Sequence, residues 1–304
     1  ASSELDLVLT GKDCGQEERA PMCGVPFHSA DNYIAKLVSH GHKVAICEQT
    51  EDPSKATGLV KRDVIRVMTP GTVIESNMLD DGANNYLCAI YKNKDRTKAG
   101  LCFAHITSLN TAPIQRQILN ELYTYTPREI IVNNDGFDMS LLDSYTKRVD
   151  AHLEVVSADK FDYETALKLI NENLNAAEIE ELNVSENEIA VCALGAVILY
   201  LKDTQKKDEI EAPSEFEMYD TEKYMKLDMS ARRNLELTKS MMTGDKRHSL
   251  LWVIDKTKTA AGKRMIRSWL ERPLMSIAKI TKRQNAVGEL CDNPILRDEI
   301  RQAL

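Results

Sequence analysis

The segment that most constrains the fold of this chain is residues 189–201, a run of thirteen residues without a charged side chain. A helix that crosses a bilayer needs roughly 17 to 25 apolar residues, so this run is too short to span a membrane. Ser185 and Glu188 have the spacing of a capping box, which predicts a helix that begins there. Because such a helix is apolar around most of its circumference, we expect other parts of the fold to cover it on most sides.

Length and composition indicate a globular protein of several units. At 304 residues the chain is long enough for two or three domains, since about 150 residues per domain is typical. Its 43% hydrophobic and 28% charged residues exclude global disorder and an integral membrane protein. Residues 1–10 lack the basic and apolar regions of a signal peptide, so we expect a cytoplasmic location. The seven scattered cysteines favour reduced thiols over a disulfide framework.

The first predicted unit, residues 1–75, contains a compact succession of loop, helix and strand. Residues 5–10 alternate like a strand, and Pro21, Gly24 and Pro26 then predict a stiff loop with free amides. A helix follows, for which Asp31 can be the N-cap and Gly41 the end. Strands are predicted at residues 43–47 and 59–68.

The second predicted unit, residues 76–184, has the pattern of an α/β fold. Two β-rich runs at residues 86–91 and 100–107 predict a hairpin, after which helical and strand patterns alternate. The third unit, residues 185–304, is predicted to be largely helical after its first apolar helix. Ser230 and Thr259 are predicted N-caps, and a further helix is predicted at residues 276–290.

The formal net charge of −8 argues against a surface that binds nucleic acid throughout, because DNA affinity comes mainly from Lys and Arg contacts with phosphates. Any such contact has to be local. Lys61, Arg62 and Arg66 form a candidate basic strand, and a solvated charged face is the alternative interpretation.

Four runs of sequence resemble the bacterial MutS family of DNA mismatch repair proteins. They are PMCGVPFHSADNYIAKLVSHGHKVAICEQTEDP at residues 21–53, VKRDVIRVMTPGT at 60–72, LDMSARRNLELT at 227–238 and IDKTKTAAGKRMIRSWLERPL at 254–274, in the family's order. The resemblance implies a multi-domain α/β fold. Residues 1–75 would be part of a mixed α/β mismatch-binding domain, residues 76–184 a ribonuclease H-like connector, and residues 185–304 the start of a helical core.

The resemblance also implies a role for each candidate residue. Met22, Gly24 and Pro26 occupy the family position that faces DNA, while Lys61, Arg62 and Arg66 lie on the strand leading away from it. Apolar side chains beside a basic strand suit minor-groove insertion with phosphate anchoring. The alternatives are core packing for Met22 and a solvated strand edge for the arginines.

In the family, a G-D-F-Y-E wedge segment would precede Ala1, and a clamp and an ATPase would follow Leu304. We therefore expect the chain to be a fragment that binds a duplex weakly and discriminates mispairs poorly. The resemblance implies mispaired double-stranded DNA as the ligand, MutL as a partner through the connector, and a homodimer for the full-length protein, associated with the nucleoid. ATP and magnesium would belong to the ATPase, so no cofactor is expected here.

Three sequence features argue against catalysis or metal binding by this chain. It contains no G-x₄-G-K-[ST] phosphate loop. The family's D-I-S-T-G strand reads HITSL at residues 105–109, which removes the acid that a metal-dependent nuclease would need. Five histidines and cysteines lack the spacing of a zinc site: Cys23, His28, His40, His42 and Cys47.

The rival function is a protein-interaction scaffold without nucleic-acid contact, which fits the acidic balance. DNA binding at low salt would distinguish this scaffold from a DNA-binding fragment.

Overall fold

The computed structural model describes residues 2–13, 15, 19–52, 58, 60–73, 85–93, 98–103, 105–109, 114–133, 138–206, 217–218 and 223–303. Most of the predicted linker after residue 73 and part of the charged loop after residue 93 lie outside these residues. Within them the chain has mixed helices and strands, as the α/β class predicts.

The first unit is built from two short hairpins and a helix. Its elements are α1 (Ser2–Leu5), β1 (Thr10–Lys12), β2 (Ala20–Met22), α2 (Ala30–Ser39), β3 (Val44–Gln49) and β4 (Arg62–Met68). Strands β1 and β2 are antiparallel, as are β3 and β4. Beneath α2, Val38, Met68 and Val73 form a small core against Ile34, Val44 and Ile46.

Two local predictions in this unit are wrong. Residues 5–10 are not one strand, because Leu5 ends a helix and Asp6 has a left-handed φ of 53° that interrupts extended backbone. Asp31 is not the N-cap of α2, since a 3₁₀ turn at Phe27–Ser29 leads straight into the helix and leaves Asp31 in its first turn. Gly41 does follow the helix end, with φ of 83°.

The second unit is a six-stranded sheet with helices on both faces. Its strands are β5 (Leu87–Lys92), β6 (Ala99–Cys102), β7 (His105–Leu109), β8 (Glu129–Asn133), β9 (His152–Val156) and β10 (Glu217–Met218). They lie in the order β10-β7-β6-β5-β8-β9. Strands β5, β6 and β7 are antiparallel neighbours, while β8, β9 and β10 each pair in parallel.

Helices cover the two faces of this sheet separately. They are α3 (Ile114–Tyr125), α4 (Met139–Val149), α5 (Tyr163–Asn173), α6 (Ala176–Leu182) and α7 (Glu188–Gln205). Cys88 and Ile90 of β5 join a core with α3 and α4, whereas Leu87 and Ala89 join one with α5 and α7. The hairpin prediction is confirmed by the antiparallel pairing of β5 and β6. The second predicted run, however, divides into β6 and β7 at Phe103. This residue is buried, and the centroid of its ring lies 4.3 Å from that of the Tyr125 ring, on which it stacks.

Helix α7 confirms the prediction of a buried apolar helix. Residues 190–198 are all buried, and the helix packs on β5, β6 and α5. The predicted capping box is wrong: the helix begins after Asn187, whose amide instead donates to the Leu182 carbonyl at 2.9 Å. The capping box lies one helix earlier, at Asn175 and Glu178.

The predicted boundary at residue 184 separates α7 from the sheet that it covers. Residues of α7 share one continuous core with Leu87, Cys102 and Ile131 of the sheet. Because an apolar helix needs such cover, we propose that the second unit extends through α7 rather than ending at residue 184.

The third unit consists of helices α8 (Met229–Asn234), α9 (Leu250–Ile254), α10 (Ala260–Glu271), α11 (Ile277–Asp292) and α12 (Pro294–Ala303). The helix predicted at residues 276–290 begins after Ser276, which is the N-cap of α11, and Thr259 is an N-cap as predicted. Ser230 is not an N-cap, because the side chain of Asp228 caps α8 instead by accepting from the Ala231 amide at 2.8 Å. This helix ends before Glu236, where φ is 46°. Across the described part of the chain, none of the helices has the length and apolarity that a bilayer crossing requires.

Asp255 makes this unit sensitive to acid. Its side chain is 6% exposed and pairs with Lys246, and the hydrogen bonds from Lys246 and then Thr257 lower the pKa of Asp255 to about 2. A lowered carboxyl pKa contributes stability that is present above about pH 4 and is lost as the pH falls toward 2. We expect Asp255→Asn to lower the free energy of unfolding by up to about 2 kcal/mol at pH 7 and by little at pH 2.

Urea unfolding followed by tryptophan fluorescence at both pH values measures this effect. Asp298→Asn is the control, because its ion pair with Arg301 is exposed. If Asp255→Asn lowered the free energy of unfolding as much at pH 2 as at pH 7, the prediction would be contradicted.

Candidate nucleic-acid interface

Met22, Gly24 and Pro26 lie on an exposed segment that joins β2 to α2. Met22 pairs with Thr10 at the end of the hairpin, and the Thr10 hydroxyl donates to the Met22 carbonyl at 2.9 Å. The Met22 side chain is 45% exposed, so it lies outside the core, contrary to the core-packing alternative. A Cβ at Gly24 would meet no atom within 4 Å, which shows that the surface is open there.

Phe27 is an exposed aromatic residue that the sequence reasoning missed. Pro26, with φ of −60°, starts the 3₁₀ turn that carries it, and the Phe27 ring is 89% exposed. Leu9 precedes the partner of Met22 in the hairpin and is 62% exposed. The available signal was its position, because Phe27 directly follows Pro26, the last residue of the predicted loop.

Lys61, Arg62 and Arg66 lie on or beside β4, at the other hairpin of the first unit. Lys61 is exposed and forms an ion pair with Asp63 at 3.4 Å, which partly neutralises it. Arg62 is exposed, whereas Arg66 is half-buried. Met22 and the basic strand therefore belong to separate hairpins. Arg62 is exposed and, among the described residues, forms no ion pair.

A β-bulge separates the two arginines onto opposite faces of their hairpin. Arg66 pairs with Ile46 and Arg62 with Gln49, and the register shifts between Ile46 and Cys47. Ile46 and Gln49 are three residues apart on a regular strand, so their side chains point to opposite faces of the hairpin. Directly paired residues of two antiparallel strands have their side chains on the same face, so Arg66 shares the face of Ile46 and Arg62 shares that of Gln49. Arg66 thus lies on the face of the small core and Arg62 on the other.

Two of the three histidines considered as metal ligands, His40 and His42, contact a carboxylate instead. Glu4 Oε1 lies 2.8 Å from His40 Nδ1 and 3.3 Å from His42 Nε2. Both hydrogen bonds lower the pKa of Glu4, and the one with His40 has the larger effect. Among the described residues, no group of three or more histidine, cysteine, aspartate or glutamate side chains is arranged to hold a metal.

A buried carboxylate fixes the first unit to the second. Glu129, the first residue of β8, has no exposed surface. It accepts hydrogen bonds from the Thr69 hydroxyl, from the Gly71 amide at 3.0 Å and from the Tyr200 hydroxyl at 2.7 Å. Nearby, Lys43 Nζ lies 2.6 Å from Glu154 Oε2 of β9. The turn after β4, and with it the basic strand, is therefore held against the six-stranded sheet and α7.

Family comparisons divide the chain in the same order as these units. The family model for MutS domain I matches residues 1–77, MutS domain II matches 85–214 and MutS domain III matches 230–304. The chain belongs to the MutS family. The MutS domain II match includes α7, in keeping with its packing on the sheet.

Whole-chain relatives carry the same family name. The chain is 46% identical to the DNA mismatch repair protein MutS of Ruminiclostridium cellulolyticum, 45% identical to that of Acetivibrio thermocellus and 43% identical to that of Lachnoclostridium phytofermentans. Each match covers 100% of this chain but only 35%, 35% and 33% of the relative. The chain thus spans about a third of the length of these MutS proteins. All six predicted site residues fall within MutS domain I.

Proposed function

We propose that this chain takes part in the recognition of mispaired duplex DNA during mismatch repair. The observation that carries the proposal is the ordered match to MutS domains I, II and III across nearly the whole chain. In this proposal domain I positions the DNA backbone and domain II offers a docking surface for a partner.

The surface chemistry of domain I supports this proposal. Exposed Met22 and Phe27 are apolar side chains of the kind that insert between base steps in the minor groove. Arg62 supplies an exposed charge for a phosphate, and such contacts position a protein without reading sequence. With a net charge of −8, this contact is local rather than spread over the chain.

Removing the exposed arginine is expected to weaken DNA binding and its dependence on salt. Arg62→Ala should lower the affinity for a matched duplex and reduce the slope of log K against log salt by about one, because one phosphate contact is lost. Fluorescence anisotropy at two salt concentrations measures both quantities. Arg301→Ala is the matched control, since Arg301 is an exposed arginine in domain III that already pairs with Asp298.

The same titration separates the proposal from its rival. No duplex binding at low salt would reject DNA recognition in favour of a protein-interaction scaffold. Affinity for a matched duplex is expected in the nonspecific range of about 10⁻⁴ to 10⁻⁶ M. The chain could instead prefer a G·T duplex over the matched one by tenfold or more. If Met22→Ala abolished that preference, the loop at Met22 would sense the mispair itself.

Partners and location follow from the same proposal. We infer a cytoplasmic, nucleoid-associated location, docking of MutL on domain II and a homodimer in the full-length protein. Titration calorimetry of the 304-residue chain with MutL tests the docking. We also infer that residues 1–304 hydrolyse neither ATP nor DNA, because their sequence lacks a phosphate loop and the acid of the family's D-I-S-T-G strand; both activities should remain at background.

A further inference from the structure

A cavity of about 750 Å³ lies between the second and third units. Tyr123 and Thr126 at the end of α3, Val149 at the end of α4 and Glu271 at the end of α10 all line it. Segments from both units form its walls, including α8 and the following residues 237–241. Its volume is within the range of about 300 to 1,000 Å³ that is typical of small-molecule sites.

Cationic side chains outnumber carboxyl groups in the lining of this cavity. Six of the lining residues carry a positive charge: Arg128, Arg148, Arg232, Arg233, Lys239 and Arg267. Two carry a carboxyl group, Asp150 and Glu271. Burial raises the pKa of Glu271, which makes its negative charge harder to maintain.

Within the part of the chain that the structure describes, Arg267 is the one lining cation with an ion pair to a carboxylate. Arg267 Nε lies 3.1 Å from Glu271 Oε1, and Arg232 Nη2 donates to the Thr124 hydroxyl and the Glu271 carbonyl at 2.8 and 2.9 Å. The buried Arg232 Nη1 has no hydrogen-bond partner in the described part of the chain.

The four other cations of the cavity are more exposed. Among the described residues none of them forms an ion pair, and Arg148 has only a 3.7 Å contact to the sulfur of Met229. They come from both walls. Arg128 and Arg148 belong to the second unit, and Arg233 and Lys239 to the third.

Helix ends account for only part of this charge. Three helices, α3, α4 and α10, end at the cavity, and each helix C-terminus carries about half a negative charge. Together with the two carboxyl groups they offset roughly three and a half of the six positive charges. A net charge of about two or more remains in a concave site, where neighbouring low-dielectric walls concentrate the field.

We propose that this cavity binds a small anion that carries two or more phosphate groups. Guanidinium groups match phosphate oxygens in geometry and bond them in pairs. The concave shape between two units fits a compact ligand, and cations from both walls would bond it at once. The site is separate from the candidate DNA interface in domain I and does not depend on DNA recognition.

Tripolyphosphate is the probe, titrated by calorimetry into the full 304-residue chain at constant ionic strength. We expect saturable binding, and we expect Arg148→Glu and Arg233→Glu each to weaken it by at least about tenfold, because each places a negative charge beside the ligand. Asp150→Asn should strengthen it. Lys147→Glu is the matched control: it makes the same charge change on the neighbouring residue of α4, which does not line the cavity, and should alter affinity less than about twofold.

Thermal unfolding gives a second readout. At a tripolyphosphate concentration that saturates the wild type, the melting temperatures of the wild type and of Lys147→Glu should rise by more than that of Arg148→Glu, because a weaker affinity stabilises the folded state less. The absence of saturable binding, or equal weakening by Lys147→Glu and Arg148→Glu, would overturn the proposal. Tighter binding of a hexaglutamate peptide than of tripolyphosphate would also overturn it, because the site would then recognise carboxylates.

Discussion

Gly195→Ala is expected to destabilise the second unit by roughly 2 to 4 kcal/mol, although alanine is the better helix former. A Cβ at Gly195 would lie 2.3 Å from the Cβ and 2.7 Å from the Cα of Ala166. Neither atom is the movable end of a side chain, so α5 and α7 would have to separate. Overpacking costs typically 1 to 3 kcal/mol and more where backbone must shift, whereas helix propensity returns only about 1 kcal/mol.

Urea unfolding followed by circular dichroism measures this loss, with Gly288→Ala as the control. Gly288 also lies inside a helix, but a Cβ there would meet no atom within 4 Å, so that substitution should stabilise by about 0.5 to 1 kcal/mol. Adding Ala166→Gly to Gly195→Ala should restore part of the loss, because it removes the nearer of the two clashing atoms. Equal effects of Gly195→Ala and Gly288→Ala would show that the two helices do not pack this closely.

Glu129→Gln is expected to loosen the attachment of the first unit and to cost roughly 1 to 3 kcal/mol. The Glu129 carboxylate accepts from three donors, and a glutamine of the same shape would direct an NH₂ group at one or more of them. The Thr69 hydroxyl keeps a second contact, 2.9 Å from the Thr72 hydroxyl, which limits the loss.

Hydrogen exchange at the Gly71 amide is the direct measurement, because that amide donates to Glu129. Exchange there should accelerate in Glu129→Gln and remain unchanged in Glu180→Gln, which alters an exposed residue of α6. Burial, followed by the charge of Glu129, raises the pKa of Tyr200. The same variant should therefore lower the pKa of Tyr200 in a spectroscopic titration. Unchanged exchange at Gly71 would mean that Glu129 is not what holds the turn.

Segments with a strong local pattern could be predicted from sequence. Helix α7 followed from its apolar run, and the N-cap Thr259 followed from the preference of hydroxyl side chains for that position. The box at Ser185 failed because Asn183 adopts φ of 42° and ends α6, which leaves Ser185 in the intervening turn. Local spacing cannot show where the preceding helix stops.

Features that depend on distant contacts could not be predicted. Strict alternation puts Arg62 and Arg66 on one face, and only the pairing of β4 with β3 reveals the extra residue that separates them. Glu129 begins β8, and its donors come from residues 69, 71 and 200, which are too far away in sequence for a local pattern to indicate them. The limit of the second unit at residue 184 stays a prediction; because α7 shares a core with the sheet, we propose the later limit.

The position of α7 in the chain sets the order in which this protein can form on the ribosome. Leu87 and Ala89 of β5 pack against α7, yet about 110 residues must be translated after β5 before α7 is complete. At about 5 to 20 residues per second, one apolar face of the nascent sheet stays uncovered for on the order of ten seconds. Tyr200 is also a partner of Glu129, so the earlier unit cannot complete its attachment until the same helix emerges. Translation speed through the codons before residue 205 therefore governs how long this face is open to chaperones and to aggregation.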